Sequence, residues 1–326
     1  MTGMVVEPRK NLMLFSGRAH PHLAAEVAAL LGTPLTPSRL ISYANSEVYV
    51  RYEESVRGCD AFVIQSHPAP VNEWIMEQLI MVDALKRASA RRITVVAPFY
   101  PYARQDKKHL GREPISARLV ADLFRTAGAD RIMSVDLHAA QIQGFFDGPL
   151  DHLTGLPVLA DYVAKHYDTS TMTVVSPDAG RVRLTDQWSD RLGAPLAIIH
   201  KRHDPAKANT VHVAEVVGDV AGRTCLLVDD MIDTAGTICQ AATALLERDA
   251  AAVVAAATHP VLSGTAAQRI NATPFEEVIV TNTLPLAEGL DIPKLTVLSL
   301  APLIAQAIRE VFTDGSVTSL FDGRIA

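Results

Sequence analysis

The densest chemistry in the chain lies in Val228-Asp229-Asp230-Met231-Ile232-Asp233-Thr234-Ala235-Gly236-Thr237. An apolar run, Thr224–Val228, leads into two adjacent acids. After a short turn, Thr-Ala-Gly-Thr opens a helical stretch. Strand, loop and helix in that order put a ligand beyond the carboxyl end of the strand. The unpaired N–H groups and the dipole of a helix start favour a phosphate there. Small residues at 235 and 236 let backbone approach it, and the hydroxyls of Thr234 and Thr237 add donors. Carboxylates are poor phosphate ligands but suit sugar hydroxyls or magnesium. The segment is therefore suited to hold a phosphate at one end and a ribose diol at the other. The plainer alternative, a helix capped by Asp233 or Thr234, leaves three acids behind a buried strand without a structural purpose.

Four further stretches carry chemistry. Tyr102–Ala117 holds four cations (Arg104, Lys107, Lys108, Arg112) and two acids (Asp106, Glu113) within an acidic protein. This local excess suits a polyphosphate, with Arg104 able to make bidentate contacts, although a charged loop is as often merely solvated. In Asp136-Leu137-His138-Ala139-Ala140-Gln141-Ile142-Gln143-Gly144-Phe145-Phe146-Asp147, His138 follows a strand and sits at a sheet's carboxyl edge. Val175-Ser176-Pro177-Asp178-Ala179-Gly180 is again a strand then a turn, with Asp178 either functional or simply solvated. In His200-Lys201-Arg202-His203-Asp204-Pro205, two adjacent cations close a strand.

These stretches need a scaffold of strand ends. Short β-branched runs are expected as strands at 12–16, 61–66, 93–98, 131–136, 173–177, 196–200, 224–229, 253–259 and 278–282. Many are apolar at successive positions, as suits parallel strands covered on both faces. Helix-length segments lie between them, such as Asn72–Ala88, Ile115–Ala127 and Thr237–Arg248. In the first, Ile75, Leu79, Val82 and Leu85 recur at helical spacing. Alternating strands and helices imply right-handed βαβ units and an α/β class. The pattern occurs once before and once after a Gly/Pro-rich stretch at 148–157, which predicts domains over 1–155 and 156–326.

Composition excludes several classes. A length of 326 residues, 48% of them hydrophobic, suits two domains each with its own core. A net charge of −6 carries no global field for nucleic acid. No apolar run is long enough for a signal peptide or a membrane span, and three cysteines without metal-ligand spacing suit buried thiols in a reducing cytoplasm. Gly-Lys, Gly-x-Gly and paired histidines four apart are all absent, which removes Walker A loops, dinucleotide fingerprints, kinase glycine loops and zinc-protease helices.

The 228–237 segment resembles the phosphoribosyl pyrophosphate loop shared by phosphoribosyltransferases and ribose-phosphate diphosphokinases. The 102–117 stretch is similar to the ATP-binding flexible loop of the diphosphokinases, and the resemblance runs from Lys10 to Phe321. It implies two similar phosphoribosyltransferase-type α/β domains, each with a mostly parallel central sheet flanked by helices. The implied reaction moves the diphosphate of Mg-ATP onto the C1 hydroxyl of ribose 5-phosphate. The resemblance further implies ATP contacts at Tyr43, Asn45, Glu47, Arg104, Gln105 and His138, and Mg2+ held near His138 and Asp178. Lys201 would be catalytic, with Arg202 beside it. Ribose 5-phosphate would lie on Asp229, Asp230, Asp233, Thr234, Ala235, Gly236 and Thr237. It also implies a cytoplasmic homo-oligomer of dimers assembled into hexamers. Control by phosphate and ADP would act through Gln143, Ser316 and Thr318. A phosphoribosyltransferase explains the 228–237 segment alone, and a catalytically weak regulatory subunit is the other alternative.

The chain departs from the family in three stretches. Tyr43-Ala44-Asn45-Ser46-Glu47 stands where Phe-x-Asp-Gly-Glu is common, so Ser46 is strained if that site requires positive φ. Arg181 replaces a second glycine after Gly180, adding either a clash or a diphosphate donor. His203 replaces an arginine.

Overall fold

The computed structural model of the chain describes residues 10–202 and 213–321. The chain divides into two units, residues 1–153 with 301–326, and residues 154–300. The expected second domain, 156–326, differs from this in its last stretch, which groups with the first unit.

The first unit contains β1 (Leu12–Ser16), the antiparallel hairpin β2 (Ser38–Ser42) and β3 (Val48–Tyr52), then β4 (Asp60–Ile64), β5 (Arg92–Val96), β6 (Arg131–Val135) and β7 (Leu150–Leu153). Apart from the hairpin they form a five-stranded parallel sheet in the order β1-β4-β5-β6-β7. Its helices are α1 (Pro21–Leu31), α2 (Val71–Arg87) and α3 (Ser116–Ala127). Met13, Phe15, Ala61, Val63, Ile93 and Val95 pack on Met81, Val82 and Leu85 of α2 and on Val120, Ala121 and Phe124 of α3. The alternate residues Leu14, Phe62, Ile64 and Val96 are buried as well. Two-sided burial explains why these strands are continuous apolar runs.

That two-sided burial also accounts for the return of the chain's end. The first 153 residues supply α2 and α3 for one face, while α1 packs on β1. The C-terminal helix Ala301–Thr313 packs against α1 and buries Ala301, Ile304, Ala305, Ala307 and Ile308. Just beyond it, Asp314 pairs with Lys10 and Arg92.

A buried polar cluster ties the hairpin down. Glu77 of α2 is fully buried; its Oε1 accepts from the Arg18 backbone N–H and from Gln65 Nε2, both at 2.8 Å. Arg18 Nε donates to Glu77 Oε2, and its Nη2 reaches Ser42 Oγ at 3.0 Å, at the end of β2. Tyr52 of β3 stacks edge-on to Phe15, with ring centroids 4.7 Å apart, and donates to the Met81 carbonyl at 2.8 Å.

The second unit contains α4 (Leu156–His166), β8 (Met172–Ser176), α5 (Val182–Leu192), β9 (Leu196–Arg202), β10 (Val213–Val217), β11 (Thr224–Ile232), α6 (Gly236–Leu246), β12 (Ala252–Pro260), α7 (Ala266–Ala272), β13 (Glu277–Thr281) and β14 (Leu295–Leu298). The sheet has seven strands in the order β10-β9-β8-β11-β12-β13-β14, with only β10 antiparallel to its neighbour. Val174, Leu226, Val228 and Ala256 pack with α4 and α5 through Leu156, Leu159, Trp188 and Leu192. The alternate residues Val175, Leu227, Val253 and Ala255 pack with α6 and α7 through Ile238, Leu245 and Ile270. From β8 the chain winds one way to β9. It then returns to lay β11 on the other side of β8 and continues in the opposite direction.

Both units are thus α/β, as expected, although the second sheet is wider and mixed. The described residues contain no helix long and apolar enough to cross a membrane.

Two stability outcomes follow. Arg18→Ala strands the Glu77 carboxylate in the core, so the urea midpoint should fall by the equivalent of on the order of 3 kcal/mol. The double change Arg18→Met with Glu77→Leu should lose less, because it leaves no buried charge. His67, fully buried after β4, donates from Nδ1 to the Phe99 carbonyl, and burial pushes its pKa down to about 4. Below the unfolded value of about 6.5 the unfolded chain binds the extra proton, so stability present above that pH drains away as pH falls towards 4. Unfolding midpoints measured across this window should decline in the wild type and decline less steeply in His67→Leu.

Candidate active site

Ligands of open α/β sheets bind outside the carboxyl ends of the strands, at the point where the winding reverses. In the second unit that point lies between β8 and β11. β11 pairs with β8 only as far as Leu227↔Val175, but runs on beside β12 to Ile232↔Pro260. The acids expected in a loop after Val228 are therefore inside an overhanging strand. Asp229 and Asp230 lie just past the end of β8, on the side it leaves open.

Both acids meet one guanidinium. Arg181 Nε lies 2.9 Å from Asp229 Oδ1, and its Nη2 lies 2.7 Å from Asp230 Oδ1. Asp229 Oδ1 also accepts from the Asp230 N–H at 2.9 Å. Burial, and then the adjacent Asp230, push the Asp229 carboxyl well above the usual range, while Arg181 works in the opposite direction. Asp178 begins the turn after β8, where its Oδ1 accepts from the Gly180 N–H at 2.8 Å. A Cβ at Gly180 would fall 3.1 Å from that oxygen, so this tight turn favours glycine.

After β11, Ala235 adopts a left-handed conformation (φ 59°) and α6 starts at Gly236. Its N-cap is Ala235, and among the described residues no side-chain cap hydrogen bond closes its start. Asp233 is engaged elsewhere: its Oδ1 accepts from Ser263 Oγ, and its carbonyl accepts from the Ser263 N–H at 3.0 Å. Arg269 of α7 donates to the Thr234 carbonyl at 2.9 Å, which sets a cation beside Thr234, Ala235, Gly236 and Thr237. A helix start with a positive dipole end and a neighbouring cation is suited to an anion. Lys201 and Arg202 are the last residues of β9, opposite Ala214 and Val213 of β10 and past the Ser176↔Ile198 pair that ends contact with β8. His203 lies outside the described residues.

In the first unit, the stretches expected to carry ATP contacts occupy the carboxyl edge of the sheet and the hairpin tip. His138 follows β6 after Asp136, whose backbone is held at φ 37°. In the loop after β5, Arg104 and Gln105 are exposed, and Gln105 Oε1 accepts from Ser116 Oγ at 2.6 Å. Asp106 is buried and accepts from Gln141, so the cationic loop is tethered to the stretch after β6. Glu113 accepts the N–H groups of His109 and Leu110, which lower its carboxyl below the usual range. At the hairpin tip, the Tyr43 N–H donates to the Glu47 carbonyl at 2.8 Å and Asn45 Oδ1 accepts from the Glu47 N–H at 3.2 Å. Ser46 sits at φ 71°, the left-handed region in which a glycine would be unstrained. Gln143 lies 3.3 Å from His152 Nδ1, and Ser316 Oγ lies 2.8 Å from Thr318 Oγ1.

Each unit thus gathers its own set of expected residues. Arg18, Gln65, Glu77, Ser263 and Arg269 were not singled out from the sequence. No local pattern of residue types marks them, because each acts through a partner distant in the chain or across a turn. Among the described residues no three His, Cys, Asp or Glu side chains cluster as a metal cage.

Residues 12–128 match the family model for the N-terminal domain of ribose phosphate pyrophosphokinase, and residues 205–322 match a phosphoribosyl synthetase-associated domain. The ribose-phosphate pyrophosphokinase of Streptomyces coelicolor is 66% identical over 322 residues, covering 99% of each chain. That of Mycobacterium tuberculosis is 64% identical over 317 residues, covering 97% of each. The crystal structure of phosphoribosylpyrophosphate synthetase from Mycobacterium smegmatis superposes with a TM-score of 0.89 at 60% identity, covering 94% of this chain and 100% of that one. With similarity of this strength along almost its whole length, the chain belongs to the ribose-phosphate pyrophosphokinase family.

Proposed function

We propose that the chain transfers the terminal diphosphate of ATP to the C1 hydroxyl of ribose 5-phosphate, releasing phosphoribosyl pyrophosphate and AMP. The observation that carries this reading is the acid pair of β11 at the winding reversal, followed directly by an uncapped helix start. The acids suit the 2′ and 3′ hydroxyls of a ribose. The N–H groups and hydroxyls of Thr234–Thr237, with Arg269 alongside, suit its 5-phosphate. ATP is assigned to Arg104, Gln105 and His138, with Tyr43, Asn45 and Glu47 of a neighbouring subunit completing the site. Tyr43 is half exposed at the hairpin tip, as suits a ring that stacks on adenine.

The donor set fits magnesium carried on the nucleotide. Magnesium keeps several waters and takes one or two carboxylates plus substrate phosphates, rather than a full protein cage. By the family resemblance Asp178 and His138 would each be a candidate holder, and the ion would supply neutralising charge to the ATP phosphates. The chain's own residues do the rest by positioning and charge. The acid pair orients the sugar so that its anomeric oxygen faces the β-phosphorus, and the helix start fixes the opposite end of the sugar. Lys201 and Arg202, at the end of β9, stabilise the negative charge that develops as AMP leaves, and the Arg104 loop excludes water. We further assign the protein to the cytoplasm as a homohexamer built from dimers. Phosphate and ADP act at Gln143, Ser316 and Thr318.

Purified protein incubated with ATP, magnesium and ribose 5-phosphate should release AMP and phosphoribosyl pyrophosphate in equal amounts, and neither without ribose 5-phosphate. Lys201→Ala should lower turnover by on the order of a hundredfold or more at an unchanged melting temperature. Wild-type turnover in that variant removes Lys201 from the mechanism. No AMP from the folded wild type, with or without phosphate, transfers the chain to the regulatory-subunit reading, for which the strained Ser46 is the specific observation.

A further inference from the structure

Asp229 and Asp230 are neighbours in a strand, and successive side chains of a strand point to opposite faces. Yet both carboxylates reach the same guanidinium, one at Nε (2.9 Å) and the other at Nη2 (2.7 Å). The contact is shielded, with side chains 19% exposed for Arg181, 15% for Asp229 and 6% for Asp230. Two adjacent carboxylates in so dry a place repel one another and are costly to bury without a cation. Arg181 supplies that cation with a planar fork, which matches two acceptors at once in a way an ammonium cannot.

Nothing local explains an arginine at this position. It directly precedes the first residue of α5, where a positive charge opposes the helix dipole. Its backbone is unexceptional (φ −103°), so the site does not demand a glycine either. Its contacts with the acid pair account for its length and fork.

We propose that Arg181 is a positioning residue for the sugar. It gathers two acids that would otherwise diverge into one acceptor pair matched to the cis-diol of ribose, and so governs affinity for ribose 5-phosphate and discrimination for its 2-hydroxyl. This rests on the assignment of the acid pair to the sugar made above. Arg181 approaches from the β8 side through Oδ1 of each acid, and the sugar completes the arrangement from the open side of the overhang. Of the two possibilities the sequence left open for this residue, clash or diphosphate donor, neither accounts for Nε and Nη2 lying on the acid pair.

The test compares wild type, Arg181→Ala and Arg181→Lys in steady-state assays with ribose 5-phosphate and 2-deoxyribose 5-phosphate as acceptors. Arg181→Ala should raise KM for ribose 5-phosphate about tenfold or more, on the scale of one lost charge-assisted contact. KM for ATP should move less than about twofold. The preference for ribose over 2-deoxyribose 5-phosphate should fall by a similar factor. Arg181→Lys should recover part of the stability but little of the discrimination. If Arg181→Ala does not fold, Arg181→Lys alone decides, because it keeps the charge and loses the fork. Unchanged KM and unchanged discrimination in either folded variant overturn the proposal. So does a lower KM for ribose 5-phosphate, which would make Arg181 a competitor for the acids. An inactive wild type overturns the acid-pair assignment instead, so the two failures are distinguishable.

Discussion

A parallel sheet has no face it can leave to water, and most of this structure follows from that. In the first unit, α2 and α3 cover one face, and α1 is joined on the other by a helix drawn from the far end of the chain. In the second unit the same demand is met by winding outward from β8 in both directions. α4 and α5 then cover one face, and α6 and α7 the other. Winding in two directions has a consequence that packing alone did not require: the strands beside β8 diverge in their connections, and a crevice opens at its carboxyl end.

The chemistry collects where β11 outruns β8. A strand that continues past its neighbour keeps one hydrogen-bonded edge, to β12, and frees the other. Polar side chains there are held by a rigid element, shielded from solvent yet open to a cation reaching in from the neighbouring strand's turn. The acid pair uses that overhang, the uncapped start of α6 follows it, and Arg181 reaches across from the neighbouring strand's turn. Proximity of opposite charges in a shielded place makes this cluster interdependent, so its members are expected to act as a unit. The first unit shows a related economy, in which one buried carboxylate, Glu77, joins the end of β1, helix α2 and the hairpin through Arg18.

Much of the fold was legible in the sequence, and the reason is periodicity. Strands buried on both faces are short apolar runs, and the nine expected ones coincide with observed strands to within a few residues. The five unforeseen strands lack that signal. β2 and β3 form a half-exposed hairpin of mixed polarity, β7 and β14 have four residues each, and β10 lies antiparallel at the edge of its sheet. The ownership of the C-terminal helix was not legible either. Its apolar stripe states that one face is buried but not against which sheet.

The sequence by itself determined the α/β class, the family and the stretches that carry chemistry. Those depend on local residue order: an acid pair behind an apolar run, small residues at a helix start, cations crowded into one loop. Tertiary structure alone decided which groups meet. Only the strand order places the turn after β8 beside the overhang of β11 and brings Arg181 to acids nearly fifty positions later in the chain. Only packing makes Glu77 a buried hub, links Asp106 to Gln141 and sets Arg269 beside Thr234. Contacts between distant residues carry no periodic signature, because they arise from how covered sheets wind and not from how any one element forms.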